Sequence, residues 1–279
     1  MAKIPKFNTI NDIMEKKKIL QNHRNYLGYS SLGGNCTRET WYNFRWVKDI
    51  YITPRISRLF DRGNIEEARI INDLFDVGCY VSDAQKEVIG VTGHVKGHID
   101  GEAIGVPTAV KTKHLFEAKT MKDSQYKKYI KEGLKKFSPK YWQQIHSYMG
   151  HTGLDRCLFV AVNKDTEERD YQRIHFDKSA FKDGESIAFS IITSENPPPK
   201  LPNASKIYYA CQFCNYKKIC HDNEPVKKSC RTCKHWDIED DGKFSCSIYG
   251  FWFDFEDIDS QLTMTYCKGE EYELDEIYL

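Results

Sequence analysis

The spacing of apolar residues along the chain predicts a series of helices and strands. Residues 56–77 carry apolar side chains at helical spacing and form the strongest predicted helix. Its apolar stripe is expected to contain Phe60, Gly63, Glu67, Ile71 and Leu74, with Leu59, Ile70 and Phe75 alongside. Further helices are predicted at 11–22, 39–46, 140–152 and 178–193. Strands are predicted at 85–91, 97–100, 113–119, 156–162 and 171–176.

Carboxylates and a lysine lie at the ends of two of these strands. Asp100 closes one predicted strand, and Glu117, Ala118 and Lys119 lie on a later one. Because side chains alternate along a strand, Glu117 and Lys119 project from the same face. A turn at 105–107 brings Asp100 beside Glu117 in this interpretation. Two carboxylates and the Ala118 carbonyl suit Mg²⁺ or Mn²⁺, and Lys119 is placed to position a water, which predicts a metal-dependent phosphodiester hydrolase.

Three polar residues on predicted helices are further candidates. Glu67 lies in an apolar stripe, so it is expected to be paired, protonated or bound to a cation, because an unpaired buried charge is unfavourable. A salt bridge to Arg62, Arg69 or another basic residue explains it as well as a metal does. Gln144 and Tyr148 lie one helical turn apart and can both hydrogen-bond a phosphate or a base edge. Taken alone this pair is weak, since such pairs are common on helix surfaces.

Composition describes a globular chain of 279 residues, 40% hydrophobic and 29% charged. No apolar run is long enough to span a bilayer, and the opening residues lack the apolar core of a signal peptide. We therefore expect a cytoplasmic protein, of a cell or a virus-infected cell, with no membrane contact. There the ten cysteines would stay reduced and are expected to bind metal rather than form disulfides.

The net charge of +1 hides an uneven distribution of charged residues. Ten lysines and three acids lie between residues 111 and 140, whereas thirteen acids and two lysines follow residue 236. The basic stretch begins at the candidate metal site, where it could hold a polyanion. Judged from the charges alone, a solvated helix face is the favoured interpretation.

Cysteines crowd the region after residue 210, and with Cys36 they make eight thiols, enough for two four-ligand sites. Two partitions are open. One is a zinc ribbon of Cys211, Cys214, Cys230 and Cys233, because two CxxC pairs match that pattern. The other places Cys36, Cys211, Cys214 and Cys220 around an iron–sulfur cluster and leaves Cys230, Cys233, Cys246 and Cys267 for Zn²⁺.

Four motifs together resemble the RecB-like branch of the PD-(D/E)xK nucleases, which includes lambda-type exonucleases and iron–sulfur nucleases associated with CRISPR adaptation. They are Gly63-x3-Glu67, Gly97-His98-Ile99-Asp100-Gly101, Glu117-Ala118-Lys119 and Gln144-x3-Tyr148. The distant Cys36 and the triplet Cys211, Cys214 and Cys220 are similar to the cluster frame of the iron–sulfur members. The resemblance covers roughly residues 30–220 and rests on the ensemble, since each motif alone is common.

The resemblance implies an α/β fold with a restriction-endonuclease-like core, in which a mixed central sheet is flanked by helices. An iron–sulfur clasp and a small C-terminal zinc-binding segment complete it. We expect a helical segment with one cluster cysteine at 1–55, the nuclease core at 56–196, the iron–sulfur cysteine segment at 197–223, and an acidic four-cysteine zinc-binding segment at 224–279. The prolines at 197–199 form a stiff connector at the main boundary.

The resemblance also implies a role for each matching residue of the catalytic motifs. Asp100 and Glu117 would bind Mg²⁺ or Mn²⁺ with help from the Ala118 carbonyl, and Lys119 would orient the attacking water. Glu67 departs from the pattern, because many relatives have a metal-binding histidine there. Gln144 and Tyr148 would orient the DNA backbone.

The implied cofactors beside the divalent cation are a 4Fe–4S cluster and Zn²⁺. Cys36, Cys211, Cys214 and Cys220 would hold the cluster, which would clasp two distant parts of the chain. Cys230, Cys233, Cys246 and Cys267 would hold Zn²⁺.

The implied function is a metal-dependent DNA exonuclease that acts on single-stranded ends in recombination, repair or end processing. The sequence has no GxxxxGK phosphate loop, so a helicase or recombination partner would be a separate chain. One alternative is a nucleic-acid-binding or assembly module whose nuclease-like site is idle; the competent residue types at every polar position of the site argue against it. A redox-sensing iron–sulfur protein ranks last, because nothing in the sequence supplies an electron partner.

Overall fold

The computed structural model of the chain describes residues 9–250, 252–253 and 272–278. Its helices are α1 (Thr9–Lys16), α2 (Thr37–Phe44), α3 (Pro54–Asp76), α4 (Asp123–Glu132), α5 (Leu134–Phe137), α6 (Pro139–Thr152), α7 (Lys178–Thr193), α8 (Tyr209–Gln212) and α9 (Lys217–Asp222). Its strands are β1 (Ile19–Leu20), β2 (Leu27–Gly28), β3 (Tyr51–Ile52), β4 (Tyr80–Ser82), β5 (Glu87–Ile89), β6 (Val95–His98), β7 (Gly101–Ile104), β8 (His114–Met121), β9 (Arg156–Asn163), β10 (Arg169–His175), β11 (Trp236–Ile238), β12 (Phe244–Cys246) and β13 (Trp252–Phe253). Among these helices none is both long and apolar enough to cross a membrane.

A five-stranded mixed sheet with the order β10-β9-β8-β7-β4 forms the centre of the molecule. Strands β8 and β9 are parallel, and the other neighbours in this sheet are antiparallel. Parallel neighbours need a crossover connection, which α4, α5 and α6 supply between β8 and β9. The expectation of a mixed α/β fold is confirmed.

The two faces of this sheet are covered by different helices. Ile70 of α3 packs with Phe116 of β8 on one face. Ile145 of α6 packs with Leu115 of β8 on the other. Since β8 side chains alternate between the faces, Glu117 and Lys119 share the α6 side with Leu115, as the sequence predicted.

Several predicted elements are confirmed within a few residues. Helix α3 corresponds to the predicted helix at 56–77, α6 to that at 140–152, and α7 has the predicted bounds. Pro139 fits the first turn of α6 because that turn needs no backbone donor, and the Ser138 hydroxyl accepts the Tyr141 N–H at 3.3 Å. The Asp177 side chain caps α7 in the same way.

Two predictions about the first 80 residues are wrong. The helix predicted at 11–22 ends at Lys16, and β1 follows and pairs with β3. The buried positions of α3 are Glu66, Ile70 and Leu74, one turn apart, whereas Phe60 is 54% exposed. Ile70 and Leu74 are therefore buried as predicted, whereas in the first half of the helix Glu66 turns inward to pair with Arg169 at 3.3 Å and Phe60 does not.

Residues beyond the proline connector fold back onto the N-terminal segment. Arg231 is buried, and its guanidinium lies 4.9 Å from the Phe44 ring centre and 4.1 Å from that of Trp46. It donates hydrogen bonds to the carbonyls of Phe44 at 2.5 Å and Asn25 at 2.7 Å. Phe244 of β12 covers the same guanidinium at 4.6 Å. This cation thus joins the described C-terminal residues to α2.

Candidate active site

Three elements bring the predicted acidic residues together. Glu67 lies on α3, and Glu117 lies on β8. Asp100 lies in the short link between β6 and β7, which belong to different sheets, rather than at the end of a strand as predicted. Its Oδ2 accepts the Ala118 N–H at 2.9 Å, and this hydrogen bond holds the link against β8.

Glu117 is a fully buried carboxyl group that lacks a full set of partners. One of its oxygens contacts the Lys119 ammonium. Among the described residues, its Oε2 has no hydrogen-bond partner. Burial and the nearby charge of Asp100 raise the pKa of Glu117 to about 8. A nearby cation would therefore stabilise the ionised form of this carboxyl.

Lys119 places its ammonium group beside both carboxylates. It contacts Glu117 and lies 4.0 Å from Oδ2 of Asp100. Burial opposes its charge, but the Glu117 and Asp100 carboxylates outweigh burial and raise the pKa of Lys119. Its Nζ also lies 5.5 Å from the centre of the Tyr141 ring. Lys119 is thus a cation at neutral pH.

Glu67 approaches the same group from α3. Burial and the charge of Asp100 raise the pKa of Glu67, while a hydrogen bond from Gln85 opposes this shift. The arginines proposed as its salt-bridge partners have other partners, since Arg62 lies 3.8 Å from Glu167 and Arg69 lies 3.4 Å from Glu66. Arg62 and Arg69 therefore pair elsewhere, and the basic side chain that acts on Glu67 is Lys119, whose charge lowers the pKa of Glu67.

Gln144 and Tyr148 are buried on α6, below the same face of β8. The Gln144 amide donates to the Tyr148 hydroxyl at 3.5 Å. Burial and the Glu117 charge raise the pKa of Tyr148. A Cβ at position 97 would lie 2.8 Å from Cε1 of Tyr148 and closer still to the hydroxyl, so glycine at 97 lets the ring reach β6.

A divalent cation requires ligand atoms that several side chains supply together. Within the described ranges, no three His, Cys, Asp or Glu side chains are already arranged to hold an ion. Glu67, Asp100 and Glu117 nonetheless influence each other's charge, and the Lys119 ammonium supplies positive charge between the last two. Carboxylate oxygens suit Mg²⁺ or Mn²⁺, and the unpartnered Oε2 of Glu117 is an available ligand atom. The residues present therefore fit such an ion.

The structure brings Cys36 together with three of the later cysteines. Cys36, Cys211, Cys214 and Cys220 all line one small pocket between α2 and the α8–α9 region. Neither Cys230 nor Cys233 is among its lining residues.

The four cysteines predicted to hold Zn²⁺ follow residue 224. Cys230 and Cys233 occupy one tight turn, in which the Cys233 N–H donates to the Cys230 carbonyl at 3.0 Å. Cys246 pairs with Trp236 across β11 and β12. Cys267 lies outside the described residues.

A groove with a volume of about 870 Å³ opens beside Lys119 and Gln144. Its lining comes from the chain between β1 and β3, from α3, β8 and α6, and from the link between α8 and α9. The lining residues include Ile19, Leu20, Arg24, Ser30, Asn43, Ile52, Phe60, Lys140, Tyr141 and Asn215.

Two residues of the site were not predicted from the sequence. Tyr141 lies against Lys119, and its position three residues before Gln144 on one helix is the signal that could have identified it. Gln85 hydrogen-bonds Glu67 and has a positive φ of 60°, which is unusual for a residue with a side chain. That conformation arises from tertiary contacts and leaves no pattern in the sequence.

The basic run at 111–140 is mainly a solvated surface. Lys127 pairs with Asp123 at 2.8 Å, and Lys113 pairs with Glu102 at 2.8 Å. Of its ten lysines, only Lys119 and Lys140 line the groove. The interpretation favoured from the charges is therefore correct for most of the run.

Comparisons with known proteins give structural likenesses only. The crystal structure of a protein titled SSO0001 is 16% identical, with a TM-score of 0.45, covering 72% of this chain and 88% of that one. An alkaline exonuclease (LHK-Exo) from Laribacter hongkongensis is 19% identical, with a TM-score of 0.44, covering 61% of this chain and 87% of that one. The structure of LHK-Exo in complex with dAMP is 18% identical, with a TM-score of 0.43, covering 61% of this chain and 87% of that one. These scores and identities are too low to assign a family or an activity to the chain.

No protein-family model matches the sequence, and no curated protein matches it.

Proposed function

We propose that this chain is a metal-dependent nuclease that hydrolyses phosphodiester bonds in DNA. The observation that carries the proposal is the buried Glu117 carboxyl, which has an unpartnered oxygen and lies beside Asp100 and a charged Lys119. The acidic cluster lies next to the Lys119 ammonium, which lines a groove that contains further cations, and this arrangement is suited to a polyanionic substrate.

Glu67, Asp100, Glu117 and the Ala118 carbonyl would hold Mg²⁺ or Mn²⁺. When bound, such an ion supplies Lewis-acid polarisation of a phosphoryl oxygen and lowers the pKa of a bound water.

The protein's own residues would orient the phosphate. Because Lys119 remains protonated, it acts as a fixed positive charge for phosphate oxygens rather than as a base. Gln144 lines the groove and would hydrogen-bond the DNA backbone, while Tyr148 fixes the orientation of the Gln144 amide. Tyr141 packs against Lys119 and restricts where its ammonium can lie.

The finer proposal is an exonuclease on single-stranded ends, working in recombination, repair or end processing with a helicase or recombination protein on a separate chain. It is supported by the order and spacing of the four motifs that resemble RecB-like nucleases. The Lys119 ammonium lines the groove and lies 4.0 Å from Asp100, so a strand held in the groove would lie beside the acidic cluster.

We propose a 4Fe–4S cluster at Cys36, Cys211, Cys214 and Cys220, whose shared pocket supports this grouping over the zinc ribbon. Cys230, Cys233 and Cys246, with Cys267, would hold Zn²⁺. The cluster would be structural, because it would link α2 to the chain beyond the proline connector. Protein purified without oxygen should contain iron and absorb visible light, and Cys36→Ala should lose both, whereas Cys79→Ala should retain them. Full iron content in Cys36→Ala would reject this grouping.

The nuclease proposal is tested by degradation of an end-labelled single-stranded DNA with added Mg²⁺ or Mn²⁺. Wild-type protein should shorten the DNA, and Asp100→Asn, Glu117→Gln and Lys119→Met should each reduce the rate by at least about a hundredfold. Lys127→Met, on the exposed surface of α4, is the matched control and should act at the wild-type rate. A folded wild-type protein that degrades no DNA with either metal would instead indicate a binding or assembly module.

A further inference from the structure

The groove beside the candidate active site has an uneven distribution of side chains. The groove is lined by three lysine or arginine side chains, those of Arg24, Lys119 and Lys140. Among the described lining residues there is no aspartate or glutamate. The whole chain has 41 basic and 40 acidic residues, so this imbalance is local. A groove with this charge attracts a polyanion.

The three cations lie close enough to repel each other. Partial desolvation lowers the pKa of Lys140, and the charges of Arg24 and Lys119 lower it further, whereas the charge of Glu39 opposes this shift. Arg24 donates a hydrogen bond to the Ser30 hydroxyl at 3.4 Å, and both side chains line the groove. A phosphate group between these side chains would remove the repulsion, which makes this part of the groove complementary to a phosphodiester backbone.

The apolar lining comes from different elements. Ile19 and Leu20 belong to β1, and Ile52 of β3 pairs with Ile19. Phe60 lies on α3. Phe60 is 54% exposed, Leu20 is 50% exposed and Ile19 is 42% exposed. These side chains are not needed for the core, yet they line the same groove as the cations.

We infer that the groove binds single-stranded nucleic acid, with the backbone at Arg24, Lys119 and Lys140 and the bases against Phe60, Ile19 and Leu20. Duplex DNA presents stacked bases inside and phosphates outside, so it would leave these apolar side chains facing charge. A single strand has bases free to cover them, and contact with an aromatic ring is favourable for any base. The inference rests on the proposed nuclease function and names the residues that select single strands over duplex.

The test is a binding measurement that needs no catalysis. A fluorescent 12-nucleotide DNA and its blunt duplex are titrated with full-length protein, without added divalent cation, and followed by anisotropy. Wild-type protein should bind the single strand more tightly than the duplex. Phe60→Ala should weaken single-strand binding by about fivefold or more, as loss of one stacked base does, and change duplex binding by less than twofold.

Phe75→Ala is the matched control, because Phe75 is 61% exposed on the same helix and lies outside the groove lining. It should bind both DNAs as wild type does. Lys140→Gln should weaken single-strand binding and reduce the slope of log affinity against log salt by about 0.7, the loss of one phosphate contact.

Equal single-strand affinities for Phe60→Ala and Phe75→Ala would overturn the inference, as would wild-type binding to duplex that matches or exceeds binding to the single strand. Either result leaves the nuclease proposal standing if DNA is degraded. Conversely, a wild-type protein that degrades nothing but shows the expected binding pattern would reject the catalytic proposal alone.

Discussion

Glu117 and Lys119 show how single residues determine the chemistry of this site. Alternation along β8 places both on the α6 side, and this was predictable because it depends only on the two-residue period of a strand. Tyr141 and Gln85 could not be predicted in this way, because their contacts with Lys119 and Glu67 cross between elements. Local geometry is readable from sequence, whereas the partners that complete the site depend on tertiary packing.

His146 on α6 makes stability depend on pH. It is fully buried, and its Nδ1 accepts the Asp177 N–H at 3.1 Å. Burial lowers the pKa of His146 to about 4, below the value of about 6.5 expected in the unfolded chain. As pH falls from about 6.5 towards 4, the unfolded chain binds a proton that the folded chain does not, so stability is lost across this window. This residue should account for a loss of about 2 kcal/mol at pH 5 relative to pH 7.

Denaturant unfolding of wild type and His146→Gln at both pH values measures this contribution. Other buried histidines, His94 and His114, also have lowered pKa values, so the comparison between proteins isolates His146. The stability difference between the two proteins should change by about 2 kcal/mol in favour of the variant at pH 5. A constant difference at both pH values would show that His146 does not titrate in this way.

At the scale of elements, the close approach of α6 to β6 depends on Gly97. Gly97→Ala would force a methyl group against the Tyr148 ring and should cost about 1–3 kcal/mol in unfolding free energy. Tyr148→Phe removes the closest atom, so part of this loss should disappear in the double variant. Calorimetric or denaturant unfolding of all four proteins gives the coupling energy.

Gly63→Ala on α3 provides the opposite control. A Cβ at position 63 meets nothing within 4 Å, so alanine should stabilise this helix by roughly 0.5–1 kcal/mol. If the effects of Gly97→Ala and Tyr148→Phe on the unfolding free energy are additive, β6 and α6 do not meet as described.

The helices and strands differ in how well the sequence predicts them. Helices α3, α6 and α7 contain enough turns for periodicity and caps to identify them. Strands β1, β2 and β3 have two residues each, which is too short to show a period, and their pairing depends on distant residues. In α3 the burial of Ile70 and Leu74 follows the sequence pattern, whereas the inward position of Glu66 and the exposure of Phe60 do not, because Glu66 pairs with Arg169 of a distant strand.

At the scale of the whole molecule, Arg231 should hold the C-terminal segment on the N-terminal one. Arg231→Ala removes the donors to two buried carbonyls and should lower the unfolding free energy by about 2–5 kcal/mol. Arg231→Lys should recover little, because an ammonium group cannot reproduce the planar fork. Denaturant unfolding and limited proteolysis near the proline connector measure the effect. Unchanged unfolding and protease resistance in both variants would contradict this role.

The central claim is that Glu67, Asp100 and Glu117, contributed by separate elements, share one divalent cation. Calorimetric titration of Mn²⁺ into the full-length protein, without DNA, tests it most directly. Wild type should bind Mn²⁺. Glu67→Gln, Asp100→Asn and Glu117→Gln should each weaken binding by at least about tenfold, because the loss of a side chain that only orients a metal ligand already weakens binding by that factor. Asp61→Asn, on an exposed position of α3, should bind as wild type does. Wild-type Mn²⁺ affinity in all three site variants would contradict the shared site.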